Sequence, residues 1–132
     1  MNRRALIALL LATPLPALAQ GHGAGGHAHG KGPNGGQIGE IGDRHAEMVA
    51  RDGELRLYVL DAQDRPTSAR GATGTAIVQA AGRQQTLRFE PGPGDAYLVA
   101  RGEFAAAKGL RVVANVALPG QPPRQARFTP AD

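Results

Sequence analysis

The stretch that decides the fold is residues 44–60, which read RHAEMVARDGELRLYVL. Apolar and polar residues alternate on both sides of Asp52-Gly53, and alternation with a period of two is typical of strands that bury one face. An Asp-Gly pair can adopt the positive φ values of a type I′ turn, whose twist matches that of a hairpin. The pattern therefore predicts a β-hairpin formed by Arg44–Arg51 and Glu54–Leu60.

Outward from this hairpin, the chain continues as short apolar or β-branched runs between turn residues, without helical periodicity. Ala81-Gly82 is expected to turn a second hairpin, and Phe104–Gly109 to form one helical turn. We expect the prolines of this region between or beyond the strands, because proline lacks the N–H that a sheet interior needs. The other predicted strands are Gln37–Ile41, Thr73–Ala80, Gln85–Phe89, Ala96–Arg101, Leu110–Leu118 and Arg124–Phe128.

About seven or eight short strands with regular turns are typical of a small sandwich or barrel. We predict an all-β fold, a small immunoglobulin-like β-sandwich, for residues 37–130. Residues of one parity share a face of a strand, so the apolar faces predict the core. The predicted core residues are Ala46, Met48, Ala50, Leu55, Leu57, Val59, Ala76, Val78, Leu87, Phe89, Leu98, Val112, Ala114, Val116 and Leu118.

Residues 1–19 have the three regions of an export signal in the usual order. Arg3 and Arg4 are basic, an apolar run follows, and Ala17-Leu18-Ala19 supplies the small residues of a cleavage site. We predict a signal peptide over residues 1–19, and the paired arginines also loosely resemble a twin-arginine signal, so the export route stays open. The chain has no cysteine, which excludes disulfides and a lipid-anchored cysteine. We expect a soluble product with no stable membrane insertion after cleavage.

Residues 20–36 consist mainly of glycine and histidine, with almost no large apolar side chain. Such a segment cannot bury enough surface to offset its ordering entropy, which predicts a flexible, disordered Gly/His-rich arm ahead of the sandwich. The formal net charge is +4, basic residues are scattered among acidic ones, and aromatic residues make up 4% of the chain. Nucleic-acid binding needs a concentrated basic surface and often stacking rings, so we do not expect it.

Cleavage after Ala19 would place His22 third from the new amino terminus. The amine of Gln20, the backbone nitrogens of Gly21 and His22, and the His22 imidazole would then offer four in-plane nitrogens, which suit square-planar Cu(II) and Ni(II). Cyclisation of Gln20 to pyroglutamate would remove the free amine and leave only looser binding by imidazoles. The state of this first residue therefore decides whether the chelate forms.

The four histidines of the chain all lie between positions 22 and 45. Imidazole binds copper, nickel and zinc, so His27 and His29 extend the candidate site, with Cu(II) preferred and Ni(II) or Zn(II) as alternatives. A Gly/His segment is equally compatible with a passive, solvated tether whose histidines bind nothing. Both interpretations stay open at the level of the sequence.

His45 and Glu47 are two positions apart on a predicted strand and therefore project from the same face. Together they offer a nitrogen and an oxygen ligand to zinc or copper, and a histidine of the arm would supply a third ligand. The alternative is an exposed polar pair that faces Arg56 or Tyr58 across the hairpin.

Other kinds of chemistry find little support in the sequence. Asp61, Asp64 and Asp95 lie in predicted loops without the ligand density of a calcium site, so we interpret them as turn residues. The chain has no Gly-x-Ser-x-Gly motif and no cysteine, and its one serine, Ser68, lies in a predicted loop. Because no nucleophile with a neighbouring base is evident, we do not expect an enzyme.

Four short segments resemble known proteins: GPNGG at Gly32–Gly36, HAEMV at His45–Val49, the segment Asp52–Val59, and RGAT at Arg70–Thr73. They resemble a group of small exported proteobacterial proteins and are similar to a periplasmic domain that accompanies heavy-metal efflux adaptors. This chain has Asn34 where similar sequences often have His. The resemblance implies a periplasmic β-domain in a copper or heavy-metal resistance setting, with an efflux or resistance protein of the envelope as partner.

Two hypotheses follow from these observations. In the first, a periplasmic protein binds Cu(II), or alternatively Ni(II) or Zn(II), and acts in metal buffering, resistance or delivery to an efflux system. In the second, the sandwich is an interaction module of the cell envelope without metal chemistry, and the arm is a tether. The predicted metal ligands of the first hypothesis are Gln20, Gly21, His22, His27, His29, His45 and Glu47.

Overall fold

The computed structural model describes residues 30–132. The predicted signal peptide and residues 20–29 of the predicted arm lie outside the described residues. The described chain is built almost entirely from strands, with one short 3-10 helix at Pro93–Asp95. The strands are β1 (Gln37–Ile41), β2 (Arg44–Arg51), β3 (Glu54–Leu60), β4 (Thr73–Ala80), β5 (Arg83–Arg88), β6 (Glu90–Pro91), β7 (Leu98–Arg101), β8 (Arg111–Ala117) and β9 (Arg124–Phe128).

These strands form two antiparallel sheets, which confirms the predicted all-β sandwich. Sheet A has the strand order β1-β2-β3-β7-β6, and sheet B has the order β5-β4-β8-β9. The chain passes from one sheet to the other after β3, after β5 and after β7. Strands β1 to β4 and β9 have the predicted bounds.

The strand that the sequence did not predict is β6, which has two residues and lies at an edge of sheet A. It contains Pro91, so the expectation that the prolines lie outside the strands is wrong at this position. An edge strand accepts proline because one side of its backbone has no neighbouring strand that needs an N–H donor.

The predicted hairpin between β2 and β3 is confirmed, but its turn is not of type I′. Gly53 has a φ of 71°, whereas Asp52 has no positive φ. The segment after β7 holds this turn: Asp52 Oδ1 accepts a hydrogen bond from Ala106 N at 2.8 Å, and Gly53 N donates to Phe104 O at 2.8 Å. These tertiary contacts select the turn geometry.

The predicted turn between β4 and β5 is confirmed as well. Ala81 has a φ of 49° and Gly82 a φ of 72°. Two positive φ values in a two-residue loop are characteristic of type I′, although alanine is an uncommon residue at the first of these positions.

The core lies between the two sheets and contains the residues that strand parity predicted. Within this list, Ala50, Leu87 and Leu118 are only partly buried and pack at the margin of the core. The prediction missed several core residues in loops and strands, which are Ile41, Ala69, Ala72, Ala100, Leu110, Ala126 and Phe128.

The first and last strands pack against each other at one side of the sandwich. Gly39 faces inward from β1, and a Cβ atom at this position would lie 2.8 Å from Cε1 of Phe128. Gln37 Oε1 also accepts a hydrogen bond from Thr129 N at 2.7 Å. Glycine at position 39 therefore leaves the space that the Phe128 ring fills.

The helical turn predicted for Phe104–Gly109 is wrong. The segment is irregular and ends in a turn in which Leu110 N donates to Ala107 O at 3.0 Å. Phe104 packs against the core, and the backbone of this segment bonds to the turn at Asp52-Gly53. Contacts with a distant turn therefore replace the local hydrogen bonds of a helix.

Candidate functional site

Glu47 lies in the middle of β2 and has 0% of its surface exposed. Its carboxylate binds the loop Gly32–Gly36 through three hydrogen bonds. Oε1 accepts from the backbone N–H groups of Asn34 and Gly36, each at 2.8 Å, and Oε2 accepts from Asn34 Nδ2 at 2.9 Å. A buried carboxylate is costly unless such donors replace its hydration. Glu47 therefore ties this loop to the outer face of sheet A.

Two glycines of this loop, Gly32 and Gly36, are required by close approach to β2. A Cβ atom at Gly32 would lie 2.4 Å from Cδ of Glu47, and one at Gly36 would lie 2.4 Å from the backbone oxygen of Met48. The loop closes on itself, because Gly32 N donates to Gly36 O at 2.8 Å and Gly35 N donates to Gly32 O at 2.9 Å. Residues 32–36, which the sequence assigns to the end of the arm, thus contact the sandwich directly.

His45 pairs with Asp64 on the same outer face. Nδ1 of His45 lies 2.5 Å from Oδ1 of Asp64, and the side chains are 17% and 41% exposed. A carboxylate at Nδ1 orients the ring and favours the tautomer with its lone pair on Nε2. The same arrangement commonly supports metal ligation by histidine.

Asp61 shapes the loop that carries Asp64, which confirms the prediction of a turn residue. Asp61 Oδ1 accepts hydrogen bonds from the backbone N–H groups of Gln63 and Arg65, each at 2.9 Å. The hydrogen bond from the Arg65 backbone is the main reason why the pKa of Asp61 is lowered, and the Arg65 side chain adds to it. The contact between Asp64 and His45 was not predicted, because no local pattern relates two residues from separate segments.

The structure separates the roles of the two predicted ligands on β2. His45 and Glu47 share a face, as predicted, and Tyr58 lies opposite Glu47 in the register of β3. The alternative of an exposed pair is wrong for Glu47, because the loop Gly32–Gly36 covers it.

Within residues 30–132, no group of three or more His, Cys, Asp or Glu side chains is arranged to hold a metal ion. The predicted ligands that lie outside the described residues are Gln20, Gly21, His22, His27 and His29.

A cluster of aromatic and charged side chains lies beside Glu47 on the outer face of sheet A. The Arg56 guanidinium lies 4.8 Å from the centre of the Tyr97 ring, which is 5.2 Å from that of Tyr58. Glu54 Oε1 accepts a hydrogen bond from Arg56 Nε at 2.6 Å, and Glu54 Oε2 lies 3.5 Å from Arg101 Nε. The Arg56 hydrogen bond lowers the pKa of Glu54, and the same bond raises the pKa of Arg56.

Comparison of the chain with models of protein families, with curated proteins and with solved structures finds no match. No helix within residues 30–132 has the length and apolar character needed to cross a lipid bilayer. A functional proposal must therefore be built from the residues of this chain and their geometry.

Proposed function

We propose that this protein is an exported, periplasmic metal-binding protein that captures Cu(II), with Ni(II) or Zn(II) as alternatives. It buffers the metal or delivers it to an efflux or resistance protein of the envelope. Two features of the sequence support this proposal: the signal-like residues 1–19 and the restriction of all four histidines to positions 22–45. In this proposal the arm supplies the principal ligands, and the sandwich anchors the arm.

The observation that carries the proposal is the attachment of the loop Gly32–Gly36 to Glu47. Gly32 lies against the Glu47 side chain, and His45 projects from the same strand face about 7 Å away, the length of two residues in a strand. Lys31 forms a β-bridge with Gln37 at the edge of β1, so the chain enters the sandwich beside sheet A. The anchored loop therefore fixes the point at which the arm joins the sandwich.

Each residue of this face has a separate role in the proposal. His45 offers an imidazole nitrogen, and Asp64 orients its ring. The carboxylate of Glu47 is engaged by N–H groups of the loop, so it acts as the anchor of the arm. Since imidazole and amide nitrogens must lose protons to bind the metal, the affinity should fall as the pH falls.

The proposal is tested by titrating Cu(II) into the mature protein that begins at Gln20 with a free amine. We expect a visible d–d absorption band, because planar nitrogen ligation is the geometry that Cu(II) prefers. In the variant His22→Ala the band should shift to longer wavelength, because the imidazoles that remain give a weaker ligand field than four planar nitrogens. A matched control is the same chain after cyclisation of Gln20, which differs only in the amine and should show the same shift.

Two results would reject parts of this proposal. A protein with a free amine that shows no d–d band does not form the amino-terminal chelate. Equal Cu(II) affinity of the wild type and of a variant with alanine at positions 22, 27 and 29 would exclude the arm as the binding element. Mass spectrometry of the exported protein provides the cleavage position and the state of Gln20.

A further inference from the structure

The outer face of sheet B carries three arginines and no carboxylate. These are Arg88 on β5, Arg111 on β8 and Arg127 on β9, and all three are exposed. Among the described residues, the ion pairs of the protein involve other basic side chains, and none of these three has a partner. We refer to the surface that Arg88, Arg111 and Arg127 define as the arginine face.

The register of sheet B arranges the three arginines around an aliphatic pair. Val113 lies opposite Ile77 on β4, and Arg127 lies opposite Val113 on β9. Arg111 is two residues from Val113 on the same side of β8. On β5, Arg88 lies opposite Thr75, which is two residues from Ile77 on the same side of β4. Ile77 and Val113 are half-buried. The other outward side chains of these strands are uncharged: Thr73, Thr75, Gln79, Gln84, Thr86, Asn115, Ala117 and Gln125.

Two shallow depressions adjoin Arg111 on this face. One is lined by Gln79 and the turn that follows β4, with Arg83 at the edge of the sheet, and the other by Gln79, Val113 and Arg127. Neither depression is lined by an acidic side chain. A guanidinium group binds a carboxylate through two parallel hydrogen bonds, so these depressions are suited to anionic side chains.

We propose that the arginine face docks an acidic protein surface whose carboxylates surround an apolar centre. Arginines and uncharged polar residues around an apolar centre are typical of protein interfaces. The face carries no aromatic side chain on which a base could stack and no large apolar side chain that would enter a bilayer. A second copy of the chain is not expected to bind through the same face, because a two-fold axis would place the arginines of the two copies against each other.

The size of the face predicts a short-lived complex. Four strands at ~4.8 Å spacing and about six residues at ~3.3 Å each cover about 400 Å². This area is roughly half of what one partner contributes to a standard interface. The interaction should therefore be steered by charge and weakened by salt. It does not depend on metal binding.

The test uses the mature chain with a chelator present and poly-L-glutamate as the probe, followed by NMR. We expect amide shifts to change at Gln79, Val113 and their neighbours, and the affinity to fall as salt is added. The triple variant Arg88→Gln, Arg111→Gln and Arg127→Gln should bind ~tenfold more weakly or worse.

A matched control changes three exposed arginines elsewhere, Arg51, Arg65 and Arg70, to Gln. Both triple variants lose the same net charge, so only a local site distinguishes them. We expect the control to bind like the wild type. Thermal unfolding of both variants is the check that they are folded.

Three results would overturn the proposal. The first is an equal loss of binding in both triple variants, which would leave net charge as the only cause. The second is a set of shift changes outside β4, β5, β8 and β9. The third is binding to phosphatidylglycerol vesicles through the same arginines without binding to poly-L-glutamate, which would assign the face to an anionic lipid surface. None of these results affects the proposal of metal binding, because the chelator removes metal from the test.

Discussion

Gly32 lies directly against the side chain of Glu47, and a Cβ atom at position 32 would come within 2.4 Å of the Glu47 Cδ. The contact is this close because the Glu47 carboxylate reaches the N–H groups of Asn34 and Gly36 in the same loop. The glycine and the buried acid therefore form one unit, and the attachment of the loop depends on both.

Replacement of Gly32 with alanine should destabilise the protein. Glu47 is held by its hydrogen bonds, so it cannot move away from a new methyl group without losing them. Overpacking of this kind typically costs about 1–3 kcal/mol, and we expect such a decrease in the free energy of unfolding in urea. Gly30→Ala is the matched control, because a Cβ atom at Gly30 meets nothing within 4 Å. Equal stability of the two variants would contradict the contact.

Two substitutions of Glu47 should distinguish the contribution of its hydrogen-bond acceptors from that of its negative charge. In Glu47→Ala the buried N–H of Gly36 loses its acceptor, and we expect a loss of about 3 kcal/mol in unfolding free energy. In Glu47→Gln one oxygen remains as an acceptor, and the Asn34 amide can rotate to face the new NH₂ group, so the loss should be about 1 kcal/mol. Hydrogen exchange at the Gly36 amide provides a local measurement, which should accelerate most in the alanine variant. Unchanged exchange there would contradict the role of Glu47 as an anchor.

The ion pair between Glu54 and Arg56 should make stability depend on pH. Because Arg56 lowers the pKa of Glu54 in the folded state, the stabilisation is present above the pKa of the unfolded carboxyl group. It is lost as the pH falls through the folded pKa. The difference in unfolding free energy between the wild type and Glu54→Gln should therefore be largest near neutral pH and shrink in acid. Glu90→Gln, at an exposed position of β6, should show no such difference at any pH.

Replacement of Ala81 with asparagine should stabilise the protein. Ala81 has a φ of 49°, and asparagine tolerates a positive φ better than alanine does. We expect an increase of about 0.5–1 kcal/mol in unfolding free energy, measured by urea denaturation. Ala62→Asn is the control, because Ala62 is also an exposed turn residue but has no positive φ. A gain of the same size in both variants would show that the backbone conformation is not the cause.

Within the proposed function, Asp64→Asn should weaken metal binding through His45. The carboxylate orients the imidazole ring, and loss of such a partner typically lowers metal affinity about 10-fold or more. Isothermal titration with Cu(II) at neutral pH measures this change in a His22→Ala background, where the amino-terminal chelate does not dominate the affinity. Asp43→Asn, in the exposed turn between β1 and β2, should bind like the wild type. If Asp64→Asn also binds like the wild type, His45 does not contribute to the metal site.

The fold was largely predictable from the sequence, and the errors have identifiable causes. The bounds of β2 and β3 follow from alternating apolar residues, which depend on the strand alone. The prediction of a type I′ turn at Asp52-Gly53 was wrong, because Ala106 and Phe104 from a distant segment form hydrogen bonds with this turn. The same contacts explain why Phe104–Gly109 is irregular, although its composition permits a helical turn.

The candidate site was predictable only in part. Strand parity correctly placed His45 and Glu47 on one face. Nothing in the pattern around Glu47 distinguishes a buried acid from an exposed one, since both occupy the polar side of an alternating strand. The run of glycines at Gly32–Gly36 was the one signal of a close backbone approach, and composition alone suggested flexibility instead.

The sequence by itself determined which segments become strands, where the hairpins turn and which side of each strand faces the core. These are local properties, set by period-two alternation and by residues that favour turns. Only the tertiary structure decided that Glu47 is buried under a loop, that Asp64 meets His45, and that Arg88, Arg111 and Arg127 share one uncovered face. The physical reason is that an alternating pattern determines which side chains share a face of a strand. Whether a loop or another segment buries that face depends on contacts that form only when the chain folds.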